Sequence, residues 1–270
     1  MTTAKPTTYP TALTIAGSDS SGGAGIQADI KTFFALGVYG ASVITAITAQ
    51  NTRGVHSVYP LPAAVVSAQL HAVLGDIPFG ALKIGMLANL EILQAVTSAL
   101  HDTVAPLPPI ILDPVLVSTS GKLLLDVDAR TALVDELLPH VALLTPNLPE
   151  AALLLGVENI GDVEDAARQL LALGPQAVLI KGGHGSGDLL TDVLVTAAGD
   201  TYKYTNERLH CDHTHGTGCT LSAAIAANIA LSYPLNEAIA RAITWLHSAI
   251  ATAWSPGEGP GPVHHGWELW

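Results

Sequence analysis

The 270-residue chain carries little charge. Only 13% of its residues are Asp, Glu, Lys or Arg, and 11 Lys and Arg stand against 23 Asp and Glu, a formal net charge of −12. That balance speaks against a nucleic-acid or anionic-membrane surface as partner. It leaves room for a phosphorylated small molecule, which backbone N–H groups, Mg²⁺ and one or two basic side chains can bind locally. Cysteine is scarce too. Cys211 and Cys219 are too few for a disulfide framework and fit a reducing, cytoplasmic setting. Residues 1–10 lack the apolar run of a signal peptide and read as a loose tail, leaving 11–270 as one expected domain. The longest apolar helical pattern, Leu221 to Leu231, is too short and too rich in Ala, Asn and Ser to span a bilayer. No repeat or linker splits the chain, no C-x₂-C pair occurs, and the P-loop pattern G-x-x-x-x-G-K-[ST] is absent.

What is present is apolar and small. Hydrophobic residues make up 49% of the chain, aromatics only 5%. Short apolar runs (Ala12 to Gly17, Val43 to Ala49, Ala81 to Met86, Ile110 to Leu112, Val141 to Thr145, Ala177 to Lys181) alternate with helical patterns. The latter lie near Ile26 to Leu36, Ala63 to Leu74, Leu90 to Leu100, Ala129 to Leu138, Asp162 to Leu173 and Asn236 to Ala253. Leu189 to Thr196 and Thr201 to Thr205 read as a hairpin turning at Ala198-Gly199-Asp200. The fold class expected is α/β, a three-layer α/β/α sandwich with a mostly parallel sheet and helices on both faces. Ligands bind such sheets beyond the carboxyl ends of the strands. Gly17, Gln50, Met86, Asp113, Asn147, Glu150 and Lys181 are expected at those ends.

Two glycine-rich stretches stand out. Thr214-His215-Gly216-Thr217-Gly218-Cys219-Thr220 leads into a small-residue helix and suits an anion hole, with unpaired amides and partial positive charge at the helix start. A thiol in such a place tends towards a lowered pKa; the simpler reading is a glycine-rich cap with a buried Cys. Gly23-Ala24-Gly25-Ile26-Gln27-Ala28 matches the dinucleotide fingerprint, but no Asp or Glu follows between Asp29 and Asp76 to hold a ribose. Tight helix–strand packing or a loop over substrate fits it better. His210-Cys211-Asp212-His213-Thr214-His215 has metal-ligand residue types at spacings unlike common zinc sites, and His264-His265 reads as a surface pair. Lys181 reads equally as a phosphate ligand or a snorkelling rim lysine. Asn147 and Glu150 are either a helix cap or part of a Mg²⁺–nucleotide site. Asp113 before Pro114 could simply begin a turn.

Read together, Ala16 to Asp29, Thr45 to Asn51 and His213 to Thr220 closely resemble the hydroxymethylpyrimidine/phosphomethylpyrimidine kinase family of the ribokinase-like superfamily. Lys83 to Leu87, Asp113-Pro114-Val115, Thr145 to Glu150, Lys181 to His184 and Gly261 to His265 extend the likeness over almost the whole chain. The resemblance implies ATP- and Mg²⁺-dependent phosphorylation of 4-amino-5-hydroxymethyl-2-methylpyrimidine, then of its monophosphate, in thiamine biosynthesis, by a homodimer. It implies Gln50, Gly17, Asp29, Met86 and Val115 around the pyrimidine. Lys181, Asn147, Gly183 and Thr217 would serve ATP, and Asp113 and Glu150 the metal. Gly216, Thr217 and Gly218 would form the anion hole, with Cys219 as base or positioner of the hydroxyl. A pyridoxine/pyridoxal kinase of the same fold and a non-catalytic pyrimidine-binding protein are the alternatives. Val117 to Lys122 is the candidate lid.

Overall fold

A computed structural model describes residues 9–103, 106–116, 127–184 and 187–269. The candidate lid and residues 1–8 of the expected tail lie outside them. Among the described residues nine strands form one sheet. They are β1 (Thr11–Asp19), β2 (Tyr39–Asn51), β3 (Gly54–Pro60), β4 (Ala81–Ile84), β5 (Ile110–Leu112), β6 (Leu143–Leu144), β7 (Ala177–Ile180), β8 (Leu189–Thr196) and β9 (Thr201–Glu207), in the order β3-β2-β1-β4-β5-β6-β7-β8-β9. The run from β2 to β7 is parallel; β3 at one edge and β8–β9 at the other are antiparallel.

The helices divide between the two faces. Against one face pack α2 (Ala63–Leu74), α3 (Leu90–His101), α4 (Val127–Ala132), α5 (Leu148–Leu155) and α6 (Val163–Leu171). Against the other lie α1 (Gly25–Ala35), α7 (Thr217–Ala230) and α8 (Leu235–Ala251). Strand side chains alternate between the two cores: Leu82 and Ile84 enter the first and Ala81 the second, as do Ile110 and Leu112 against Ile111. The expected sandwich is what the chain forms.

Three local readings need correction. The single helix expected over Ala129 to Leu138 is broken: α4 passes into a π-helical turn at Leu133–Leu137 and a 3₁₀ turn at Leu138–His140, where Pro139 cannot donate the next helical bond. The strand expected over Val43 to Ala49 is thirteen residues long. Its second half, Ala46 to Asn51, pairs with β3, and as far as Thr48 it stays paired with β1 on its other side. Finally, α7 begins at Thr217 and not at Leu221, so half of the second glycine stretch is the helix's own first turn.

The strand order reverses direction at β1, which lies between β2 and β4. Such a switch point opens a crevice at the carboxyl ends of the strands. The α7 layer comes close because its inward face is Ala223, Ala224, Ala226 and Ala227, all fully buried. Beneath that layer β4 carries a charge: Lys83 lies mid-strand with its Nζ 2.8 Å from Asp29 Oδ2 of α1, both side chains 0% exposed. Thr14 of β1 donates to the same carboxylate oxygen. Burial works against the Lys83 charge, but Asp29, with Cys219 and Asp113 further off, raises its pKa. Removing the cation alone strands a buried carboxylate. Lys83→Met should therefore cost about 3–5 kcal/mol in urea unfolding, and adding Asp29→Leu should recover much of it. A loss below about 1 kcal/mol for the single variant would show that the pair does not hold the layers together.

Candidate active site

The crevice is floored by two glycine loops that touch. The first follows β1. Asp19, 3% exposed at the strand end, turns its carboxylate back into the loop. Oδ1 accepts from Ser21 N (2.8 Å) and Ser21 Oγ (2.7 Å); Oδ2 accepts from Gly23 N (3.1 Å) and Ala24 N (2.8 Å). Burial pushes this carboxyl up, yet the His215, Ser21 and Ala24 hydrogen bonds outweigh it and hold its pKa at about 2. The amides that a dinucleotide pyrophosphate would need are thus already taken by the chain's own anion. That is a physical reason, beyond the missing ribose carboxylate, why the fingerprint at Gly23 is not a dinucleotide site.

The second loop leads into α7. Its cap, Gly216, has φ +78°, and a Cβ there would lie 1.8 Å from Gly23 O, so only glycine fits. No side chain caps α7, which leaves first-turn amides for a ligand. Gly218, in that turn, sits above a charge pair: a Cβ at this position would lie 3.4 Å from Lys181 Nζ and 3.5 Å from Asp113 Oδ2. The C-terminal segment clamps the loop. His215 N donates to Gly261 O (3.2 Å), Gly261 N donates to His213 Nδ1 (3.0 Å), and buried His265 meets Thr220 Oγ1 at 3.0 Å. His264-His265 is therefore not a surface pair. Burial pushes the His265 imidazole down to about 3, so it stays neutral. Among the described residues no cluster of three or more His, Cys, Asp or Glu could hold a metal, and the His210 to His215 run forms no zinc site. No helix among them is long and apolar enough to cross a membrane.

On the far side of the glycine loop, Lys181 follows β7 and Asp113 follows β5. Their Nζ and Oδ1 are 2.8 Å apart, with Glu150 Oε2 at 4.0 Å from the same ammonium. Burial opposes the Lys181 charge, and Asp113 and Glu150 more than restore it, so its pKa is raised. Asn147 and Glu150 form a full capping box on α5: Glu150 N donates to Asn147 Oδ1 at 2.8 Å, and Asn147 N to Glu150 Oε2 at 2.9 Å. The cap reading of these two residues is present in the structure, and it brings Glu150 against Lys181. Gly183, in a 3₁₀ turn (Gly182–His184), is exposed with nothing near its Cβ direction.

On the near side, Gly17 and Met86 meet: a Cβ on Gly17 would lie 2.5 Å from Met86 Cε. Thr45 Oγ1 donates to Met86 O at 2.6 Å. Val115 and Gln50 are half-buried at the ends of β5 and β2. Asp29, expected in the pocket wall, has no exposed surface. It sits one layer below, with Oδ2 held by Lys83 and Thr14 and with Oδ1 lacking a hydrogen-bond partner among the described residues. Burial raises its carboxyl pKa, with Lys83 pulling the other way. Cys219 lies in the first turn of α7 as expected, but the lowered thiol pKa does not hold. Burial pushes the thiol up to about 11, Lys83 opposing and Asp29 and Asp113 adding to the rise.

A model of the phosphomethylpyrimidine kinase family matches residues 19–264. The chain belongs to that family. A hydroxymethylpyrimidine/phosphomethylpyrimidine kinase of Rhizobium meliloti is 51% identical over 96% of this chain and 98% of its own length. A thiamine biosynthesis bifunctional protein of Geobacter sulfurreducens is 46% identical over 94% of this chain, which corresponds to 51% of that longer protein. Among solved structures, an ADP complex of Bacillus subtilis pyridoxal kinase superposes with a TM-score of 0.87 at 34% identity, over 97% of this chain and 99% of that one. Within the family frame, residue-by-residue reading assigned no role to Asp19, Lys83 or His215. Two left a signal: a lysine inside an apolar strand needs a buried partner, and an Asp just before a glycine-rich helix start is a ready-made internal cap.

Glu150 makes a measurable prediction. Burial raises its pKa to about 7, with Lys181 opposing and Asp113 adding, against an ordinary 4.5. Between those values the folded chain holds a proton that the unfolded chain has lost. The stability from that proton is complete below pH 4.5 and is lost as pH climbs through about 7. Glu150→Gln keeps the capping box and removes the titration. Relative to that variant, wild type should lose up to roughly 3 kcal/mol of unfolding free energy from pH 4.5 to 7.5. Parallel curves would place the Glu150 pKa near its unfolded value.

Proposed function

We propose that this protein transfers the γ-phosphoryl group of ATP to the hydroxymethyl oxygen of 4-amino-5-hydroxymethyl-2-methylpyrimidine, and a second to the resulting monophosphate, as a step of thiamine biosynthesis. One observation carries the reading: an uncapped α7 N-terminus lies over the Lys181–Asp113 pair, and His215, just before its cap, reaches the Gln50 amide at the end of β2. The first is a place for charge developing on a transferred phosphoryl group; the second is a neutral, hydrogen-bonding place for a heterocycle. Relatives named for this substrate, one of them 51% identical against 34% for the pyridoxal kinase, favour it over the pyridoxal reading. Lys181 and the glycine loop are in place, which favours catalysis over binding alone.

Gly218 and Cys219 would offer amides to the transferred group and Lys181 its charge, while Thr217, whose own N–H donates to Thr214 O at 3.3 Å, would border the same turn. Asn147 and Gly183 would lie towards the nucleotide. Asp113 and Glu150 fit Mg²⁺ held by one or two carboxylates and by phosphate oxygens, the usual arrangement for that ion. When bound, Mg²⁺ would neutralise phosphate charge. The thiol of Cys219, at about 11, stays protonated near neutrality. It therefore orients the hydroxyl and does not remove the proton early, which suits a loose transition state with little nucleophile bonding. The hydroxymethyl oxygen bonds to Pγ, the bond from Pγ to the bridging oxygen breaks, ADP leaves with that electron pair, and the hydroxyl proton passes late to an oxygen of the transferred phosphoryl group.

The second acceptor is a phosphate, already ionised, with no such proton to lose. Cys219→Ala should thus slow the first transfer by about 10²-fold or more and the second much less. Mass spectrometry of products from the pyrimidine, and separately from its monophosphate, with ATP and Mg²⁺, reads both. No phosphorylated pyrimidine from wild type would end the proposal. Equal losses on both substrates would end the orienting role.

We further propose a cytoplasmic homodimer. Both cysteines are free, and the edge hairpin β2–β3 exposes Ile47, Val55, Val58 and Tyr59. An apolar, unpaired edge of this kind is one that folded proteins cover. Light scattering at micromolar concentration should give twice the mass of 27.8 kDa.

A further inference from the structure

Gln50 sits in a hydrogen-bond arrangement with two conflicts. Its amide nitrogen faces His215 Nε2 at 3.2 Å, and its amide oxygen faces Thr48 Oγ1 at 3.2 Å. His215 Nε2 is also 2.9 Å from Asp19 Oδ2. Asp19, with four other donors already on its carboxylate, is an anion and can only accept. The His215 proton therefore lies on Nε2, and two donors confront each other. At the other end the single hydroxyl proton of Thr48 is claimed by both Ser18 O (3.0 Å) and the Gln50 oxygen. Turning the amide by 180° removes both conflicts. Oε1 then accepts from His215, and Nε2 donates to Thr48, whose own proton goes to Ser18. In that orientation no two donors face each other, and the one Nε2–H of His215 is shared between Asp19 Oδ2 and the Gln50 oxygen.

We propose that His215, held by Asp19, is a positioning residue that fixes the orientation of the Gln50 amide and thereby its choice between an amino- and an oxo-substituted heterocycle. The inference rests on the pyrimidine kinase reading above. Fixed in this way, Gln50 keeps one free N–H and one free oxygen lone pair, in a set order. An aminopyrimidine edge offers a ring-nitrogen acceptor beside an amino donor and matches that order. The 4-oxo analogue, with an N–H beside a carbonyl, matches the reverse. Without His215 the amide turns freely and serves either. His215 also directly precedes Gly216, whose approach to Gly23 ties the two loops, so the residue that sets pyrimidine choice belongs to the phosphoryl-binding turn.

The test compares kcat/KM for the 4-amino substrate and its 4-oxo analogue, with ATP and Mg²⁺, in wild type, His215→Ala, His215→Gln and Thr48→Val. One misdirected hydrogen bond is worth roughly ten- to a hundredfold. His215→Ala should collapse the amino/oxo preference by that factor, acting more on the pyrimidine KM than on kcat and sparing the KM for ATP. His215→Gln, which restores a donor, should regain part of the preference. Thr48→Val, which removes the acceptor at the far end, should lose it as His215→Ala does and stands in if that variant fails to fold. An unchanged preference in active His215→Ala or Thr48→Val overturns the inference and leaves the kinase reading intact. A wild type that phosphorylates neither compound overturns both.

Discussion

A lysine ammonium, a carboxylate and a helix N-terminus meet under Gly218, and the architecture of the crevice depends on that meeting. Lys181 and Asp113 come from different strands and are held 2.8 Å apart. Glycine at 218 lets α7 begin directly above them. A Cβ there would make ordinary contact with both charged groups and fill the space above them that a ligand would use. The small-residue face of α7 serves the same end. Four alanines bring it against the sheet, where its first turn aligns with the carboxyl ends of β1, β4 and β5. A larger residue on that face would tilt the helix and separate its amides from Lys181.

The two glycine loops have the same ingredients and opposite fates. Both follow the sheet, both lead into a helix, and both offer amides suited to an anion. In the first, Asp19 supplies the anion from within, and the loop becomes a rigid internal anchor. In the second no side chain caps the helix, and the electrostatic demand is left for a ligand. His215 joins the two: it belongs to the open loop, and its ring is bound to the anion of the closed one. Buried charge below, from Lys83 and Asp29, gives this joined platform a polar foundation inside an otherwise apolar layer.

Much of this was legible in the sequence, because the signals were local. Alternating apolar strands and amphipathic helices specify the sandwich, and helix α2 at Ala63–Leu74 and strand β5 at Ile110–Leu112 have the expected bounds. The family likeness likewise rests on contiguous runs. What escaped was set by contacts distant in sequence. The plugging of the first loop needs the fold of Asp19 back onto Ala24 and the ring of a residue 196 positions away. The thiol of Cys219 was read from its helix terminus, which favours the thiolate. Its pKa is decided instead by burial, which no local pattern reveals. His264-His265 read as a surface pair, and His265 proves to be packed on Thr220.

The central claim is that α7's first turn receives the transferred group while the Gln50 side of the same crevice receives the heterocycle. A crystal structure with a non-hydrolysable ATP analogue, the hydroxymethylpyrimidine and Mg²⁺ tests it most directly. The account predicts the terminal phosphate within hydrogen-bond distance of the Gly218 and Cys219 amides, the hydroxymethyl oxygen beside the Cys219 thiol, and the pyrimidine against Gln50. A terminal phosphate seated instead on the Gly23–Ala24 amides, with Asp19 displaced, would contradict it.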